Sequence, residues 1–126
     1  MEICVDFDGT LAIHEYPKIG EEIPLAVLTC LELQRLGHKL ILFTMRDKEE
    51  LTEAIEWCKI RGLEFWGINE NPEQAEWSVS RKVYANLYID DAAYGVPLIH
   101  QDSCRPYVDW SKVLDYMQEV WSRKHK

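Results

Sequence analysis

The chain has 126 residues, enough for one domain with a genuine core but little room for a second lobe, so any lid is a short insertion. A formal charge of -8 and a pI near 4.9 argue against broad nucleic-acid or anionic-membrane surfaces, which need basic faces. Small anionic substrates held locally remain compatible with that charge. The four cysteines, Cys4, Cys30, Cys58 and Cys104, lack the CxxC or Cys/His spacing that holds zinc and read as reduced thiols, mostly in the core. No basic stretch leads into an apolar one as in a signal peptide, and no apolar run is long enough to cross a bilayer. The expectation is a cytoplasmic protein with no membrane partner.

No internal repeat, low-complexity tract or linker interrupts residues 1–126. Apolar strands alternate with amphipathic helices, which predicts a single-domain α/β, Rossmann-like fold: a mainly parallel sheet of about five strands with helices on both faces. The first strand covers residues 2–6 and runs into Asp6-Phe7-Asp8-Gly9-Thr10. Acidic side chains are depleted in strands, and Asp6 and Asp8 share one side of an extended chain at a period of two. Gly9 then frees the backbone to turn, and Thr10 starts that turn. Two close carboxylates raise each other's proton affinity unless a cation sits between them. The pair therefore suits a metal site or a nucleophile with an acid/base partner, the plain alternative being two solvated acids.

Residues 13–20, with Pro17 and Gly20, read as a loop or small hairpin, a flap over 11–22. A helix starts near Pro24 with Leu25, Leu28, Leu31 and Leu36 at helical spacing, and Gly37 ends it. Residues 39–44 form the second strand. Asp47, with Glu50 three residues on, caps a helix that runs to about Arg61 and buries Leu51, Ile55 and Cys58. A third strand is predicted at 63–68, a polar loop at 69–77, one or two helical turns at 79–84, and a strongly apolar fourth strand at 85–90 that ends in Asp90-Asp91. A short fifth strand at 96–100 precedes a closing helix, capped by Asp109, with Val113, Leu114, Met117 and Val120 inward. The tail at 122–126 is basic and expected to fray.

In an open parallel sheet, ligands sit outside the carboxyl ends of the strands. Three predicted strands end there in polar groups: Asp6 and Asp8, Thr44, and Asp90 with Asp91. Lys82 lies on the segment feeding the last of them. Four carboxylates, a hydroxyl and a lysine in one crevice need a cation and an anion to be tolerable, and magnesium with a phosphate supplies both. A donor set rich in oxygen favours magnesium over zinc.

The order DFDGT, a strand ending in Thr44, Lys82, then Ile89-Asp90-Asp91 resembles the haloacid dehalogenase superfamily of aspartate-nucleophile phosphotransferases over residues 6–91. That resemblance implies that Asp6 is the nucleophile, already ionised at neutral pH, and that Asp8 is the acid/base that protonates the leaving alcohol and activates water. It also implies that magnesium is held by Asp6, the backbone carbonyl of Asp8, Asp90 and Asp91. Gly9, Thr44, Met45, Arg46 and Lys82 would face the substrate, Thr44 donating to a phosphoryl oxygen and Lys82 neutralising charge. Taken singly, Thr44 is equally an ordinary strand residue, Lys82 a solvated charge and Asp91 a turn residue. Arg46 either grips an anion bidentately or stands exposed before the helix cap. His14, Tyr16 and Asn69 either touch the leaving group or serve surface and turn roles. Trp57, Trp66 and Trp77 read as packing.

Members of that superfamily often carry a cap after the first motif or between the second and third. Here the flap at 11–22 is small and 47–81 is filled by the expected elements, so the chain looks capless. An open site admits large phosphates, or leaves a neighbouring subunit of a homo-oligomer to complete the lid. The expected activity is magnesium-dependent hydrolysis of a small phosphomonoester. A nucleotide or nucleic-acid end phosphatase is an alternative, disfavoured for long polymers by the acidic surface. A phosphoryl-accepting receiver module would need an aspartate at the end of the third strand, where Asn69 stands. A non-catalytic phosphate-binding domain on the same scaffold is the remaining alternative.

Overall fold

In chain order the elements are β1 (Glu2–Val5), β2 (Ala12–Glu15), β3 (Lys18–Glu22), α1 (Ala26–Arg35), β4 (Lys39–Leu42), α2 (Lys48–Ile60), β5 (Gly67–Ile68), β6 (Leu87–Ile89), β7 (Leu98–Ile99), β8 (Tyr107–Val108) and α3 (Trp110–Lys124). The computed structural model describes residues 1–124, with side chains through residue 120. Four strands make a parallel sheet in the order β5-β4-β1-β6, a Rossmann-like α/β arrangement. Val5 lies opposite Leu42 on one side and Ile89 on the other, so β1 is shielded from solvent by both neighbours.

Strand alternation divides the side chains. Ile3, Val5, Leu40 and Leu42 enter the main core with Cys30 and Leu33 of α1, Ala54 and Cys58 of α2, and Val113 and Met117 of α3. Cys4 and Ile41 face the other way, against Val83 and the partly buried Phe43, Trp66 and Tyr88. Each fully buried aliphatic side chain contributes roughly 1.5–3 kcal/mol, so strands of a few residues hold because both faces are covered. Burial pushes the Cys4 and Cys58 thiols up to about 12, which keeps them inert.

The buried face of α1 differs from the leucine spacing. Leu25 sits in a left-handed conformation (φ 67°) before the helix, and Leu25, Leu28 and Leu36 are exposed. Ala26, Cys30 and Leu33 form the inward stripe instead, small residues letting the helix lie close on the sheet. At its end His38 N–H donates to Leu33 O and Gly37 N–H to Gln34 O, a Schellman closure that needs the positive φ of Gly37. The helix α2 closes the same way, Leu63 N–H donating to Cys58 O. Asp47 occupies the N-cap position of α2 but makes no side-chain cap bond, so the expected capping box does not form; Glu49 and Glu50 still place negative charge at that end.

Two elements depart from the sequence-based expectation. Residues 79–84 are not helical: Gln74, on a 3-10 turn at Gln74–Glu76, donates to the carbonyls of Ser80 and Lys82 and accepts from Tyr84 N–H, satisfying that backbone without helix bonds. The fifth strand does not join the main sheet. β7 pairs antiparallel with β8, and Asp109 N–H donates to Pro97 O behind them. Of the tail expected to fray at 122–126, residues 122–124 continue α3, and residues 125 and 126 lie outside the described residues. No helix among the described residues is long and apolar enough to cross a membrane.

Candidate functional site

From β1 the chain moves out to β4 and β5 and returns to the other side of β1 as β6, so the strand order reverses between β1 and β6. Loops leaving the two carboxyl ends diverge there and open a crevice of about 520 Å³. Asp6 follows β1, and Asp90 and Asp91 follow β6. Their carboxylate oxygens lie within 4.8 Å of one another, the grouping of metal-ligand type found among the described residues. Asp6 N–H donates to Ile89 O at 3.0 Å, which locks the two strand ends together.

The loop after Asp6 supports this cluster. Thr10 is buried; its hydroxyl donates to Asp6 Oδ2 at 3.3 Å and accepts from Asp91 N–H at 3.2 Å. Gly9 has a φ of +81°, and a Cβ there would collide with the Asp91 carboxylate, so only glycine lets the loop approach. Val108 N–H donates to Gly9 O, tying β8 to the same loop.

Burial, the hydrogen bond with Asp91 and the charge of Asp90 push Asp6 up to about 8, and Asp91 is raised as well, chiefly by burial. Asp6 therefore holds its proton more tightly than an ordinary carboxyl while the cluster's charge is uncompensated. A hard divalent cation would reverse that, and an all-carboxylate set of this size fits magnesium. Asp6, Asp90 and Asp91 are the side chains able to hold it.

Asp8 is in a different state. Arg46, 1% exposed, grips it bidentately, Nε to Oδ2 and Nη2 to Oδ1, both at 2.8 Å. The same guanidinium donates to the carbonyls of Pro17 (3.2 Å) and Lys18 (2.9 Å) in the flap and of Glu50 (3.3 Å) in α2, and lies 5.1 Å from the ring centroids of Phe7 and Tyr16. Arg46 is thus neither exposed nor free for a substrate; it clamps β1, the flap and α2 together. The β2–β3 hairpin is the flap expected at 11–22.

Thr44 lines the crevice; its oxygen accepts from Arg46 N–H at 3.1 Å, leaving its proton to donate, and its own N–H donates to Asn69 Oδ1 at 2.8 Å. Asn69 therefore positions Thr44 and does not line the crevice. Met45, His14 and Tyr16 do line it. Gly9 serves as the close-approach point described above. Lys82 is exposed, with Nζ 5.7 Å from the Tyr88 ring centroid on the opposite sheet face, and is not among the crevice residues. Trp57 and Trp66 are half-buried packing, whereas Trp77 is exposed, edge-on to Tyr84.

Two residues escaped sequence reasoning. Thr10 carried no signal beyond its place in the motif, because both partners of its hydroxyl depend on the fold. Arg105, in the polar loop between β7 and β8, lines the crevice from 91 positions beyond His14 of the flap, and only tertiary structure brings it there.

A solved structure of a conserved protein from Bacteroides thetaiotaomicron is 45% identical over 95% of this chain and 91% of that one, with a TM-score of 0.77. The chain belongs to the family of that conserved protein. No protein-family model and no curated protein matches it.

Proposed function

We propose that the protein is a magnesium-dependent phosphatase of the haloacid dehalogenase type that hydrolyses a phosphomonoester through an aspartyl-phosphate on Asp6. The observation that carries this reading is the cluster of Asp6, Asp90 and Asp91, three carboxylates within 4.8 Å at a topological switch point, one of them the first aspartate of DFDGT. These side chains and the Asp8 carbonyl would hold magnesium. The chemistry magnesium supplies when bound is positive charge against Asp6 and the phosphoryl oxygens.

Asp6, once ionised, attacks phosphorus as the bond to the leaving alcohol breaks and the departing oxygen takes a proton from Asp8; water then gives a proton to Asp8 and attacks phosphorus, freeing inorganic phosphate and the Asp6 carboxylate. Thr44, which lines the crevice, would donate its hydroxyl to a phosphoryl oxygen. Asp8 has both oxygens occupied by Arg46, so carrying a proton requires its carboxyl to rotate off the guanidinium. Arg46 would keep its three carbonyl partners through that rotation, which makes it a positioning residue and not a phosphate clamp. Three buried free thiols fit an enzyme of a reducing cytoplasm.

The test is a screen of sugar phosphates, mononucleotides and phosphorylated oligonucleotides with magnesium and with chelator. The expected result is turnover of small monoesters that stops when magnesium is removed. A second reading, a non-catalytic cation- and phosphate-binding domain, is favoured by the saturation of Asp8 and by the position of Lys82 outside the crevice. No turnover across the panel with magnesium present would overturn the phosphatase reading in its favour.

A further inference from the structure

Three cationic or titratable nitrogen side chains line the crevice: Arg46, Arg105 and His14. Arg46 is spent on Asp8 and three carbonyls. Arg105 is different: it is exposed and forms no ion pair among the described residues. It lies against the imidazole of His14, with Nη1 3.3 Å from Nδ1 and 3.2 Å from Nε2. A guanidinium has five N–H donors, and a neutral imidazole offers one acceptor, so this pairing leaves most of the fork unsatisfied. In a chain of net charge -8, a cation that turns toward an imidazole while carboxylates line the same crevice is available for an incoming anion.

Both groups are held in place by the loop that carries the motif. His14 lies on β2, paired with Ile19 of β3, and Arg46 fixes the flap through Pro17 and Lys18. Arg105 sits just before β8, whose Val108 N–H donates to Gly9 O. A crevice of about 520 Å³ is in the roughly 300–1,000 Å³ range of small-molecule sites, so a substrate extends well past the phosphate at Asp6.

We propose that Arg105 and His14 form a second anion subsite, so that the substrate is a phosphomonoester carrying a further carboxylate or phosphate group. The assignment of the first phosphate to the Asp6 end rests on the phosphatase reading; the binding test does not need turnover.

Alkylphosphonates mimic the monoester and resist hydrolysis, so the wild-type protein can be titrated calorimetrically with magnesium present. The ligands are propylphosphonate, 3-phosphonopropanoate and propane-1,3-bisphosphonate, with two- and four-carbon homologues to match the span. The expected result is that at least one bis-anion binds about tenfold or more tightly than its singly headed analogue, as a charge-assisted pair allows. The carboxylate and bisphosphonate arms identify which second anion is preferred. Arg105→Gln should erase that preference, and Arg105→Lys should keep part of it, since charge survives but the fork is lost. Equal affinity for all ligands in the wild type, or an undiminished preference in Arg105→Gln, would overturn the subsite. A preference that Arg105→Gln erases, in a protein that hydrolyses no monoester, would support the subsite and remove the phosphatase reading.

Discussion

Asp6 and Asp8 leave the same strand end two residues apart, yet one joins two other carboxylates, while the other is saturated by a buried arginine. The Asp8–Arg46 pair is complete within the chain: charge, both carboxylate oxygens and the guanidinium's remaining donors are matched by protein groups. The Asp6–Asp90–Asp91 cluster has hydrogen-bond donors in the Thr10 hydroxyl and the Ala92 and Phe7 N–H groups but no cationic side chain paired with it among the described residues, and burial makes its charge costly. One acid is thus neutralised by a single arginine, while three others stand together at the switch point, the grouping on which the proposed magnesium site rests. The crevice follows the same division, with Arg46 internal to the scaffold and Arg105 exposed beside His14.

The sharpest way to break the comparison is Asp6→Asn. Turnover should fall by roughly 10⁴-fold or more, as for loss of a covalent nucleophile, while circular dichroism shows an intact fold. Full activity in that variant would remove Asp6 from the mechanism. On the other side, Arg46→Met leaves Asp8 half-buried and unpaired and frees the flap, and should lower stability by about 2–4 kcal/mol in urea denaturation. Adding Asp8→Asn should recover much of that loss, and a single-variant cost below about 1 kcal/mol would show that the clamp is not formed.

A third prediction concerns pH. In the metal-free protein Asp6 binds its proton more tightly folded than unfolded, so this contribution to stability is full below the ordinary value of 3.8 and is lost as pH rises toward about 8. Magnesium should oppose the loss, adding about 2.7 kcal/mol at a concentration one hundred times its dissociation constant. Melting curves from pH 5 to 8.5 with chelator and with magnesium should therefore diverge as pH rises; parallel curves would contradict a cation site at the cluster. The smallest effect is that of Thr10→Val, which removes the hydroxyl between Asp6 and Asp91 and should cost about 1–2 kcal/mol.

The acids and the parallel sheet were legible because charge at the end of an apolar strand breaks a strong local pattern. Thr44 was found the same way. The clamp was not legible, since Arg46 and Asp8 are 38 positions apart and three of its partners are backbone carbonyls, which carry no residue identity. The face of α1 was misread because leucines at helical spacing outrank an Ala-Cys-Leu stripe in hydrophobicity, although the small residues fit the sheet. The two-residue strand β8 is too short for any period to register, and the backbone at 79–84 is bonded by side chains, chiefly Gln74, instead of by helix bonds. Arg105 could not be distinguished from other loop cations until the flap stood opposite it.

The most direct measurement is to quench the protein with borohydride during turnover with magnesium and locate the modified residue by mass spectrometry, because an aspartyl-phosphate is reduced to homoserine. The account predicts homoserine at position 6 and unmodified aspartate at position 8. Reduction at position 8, or none at either position while phosphate is being released, would contradict it.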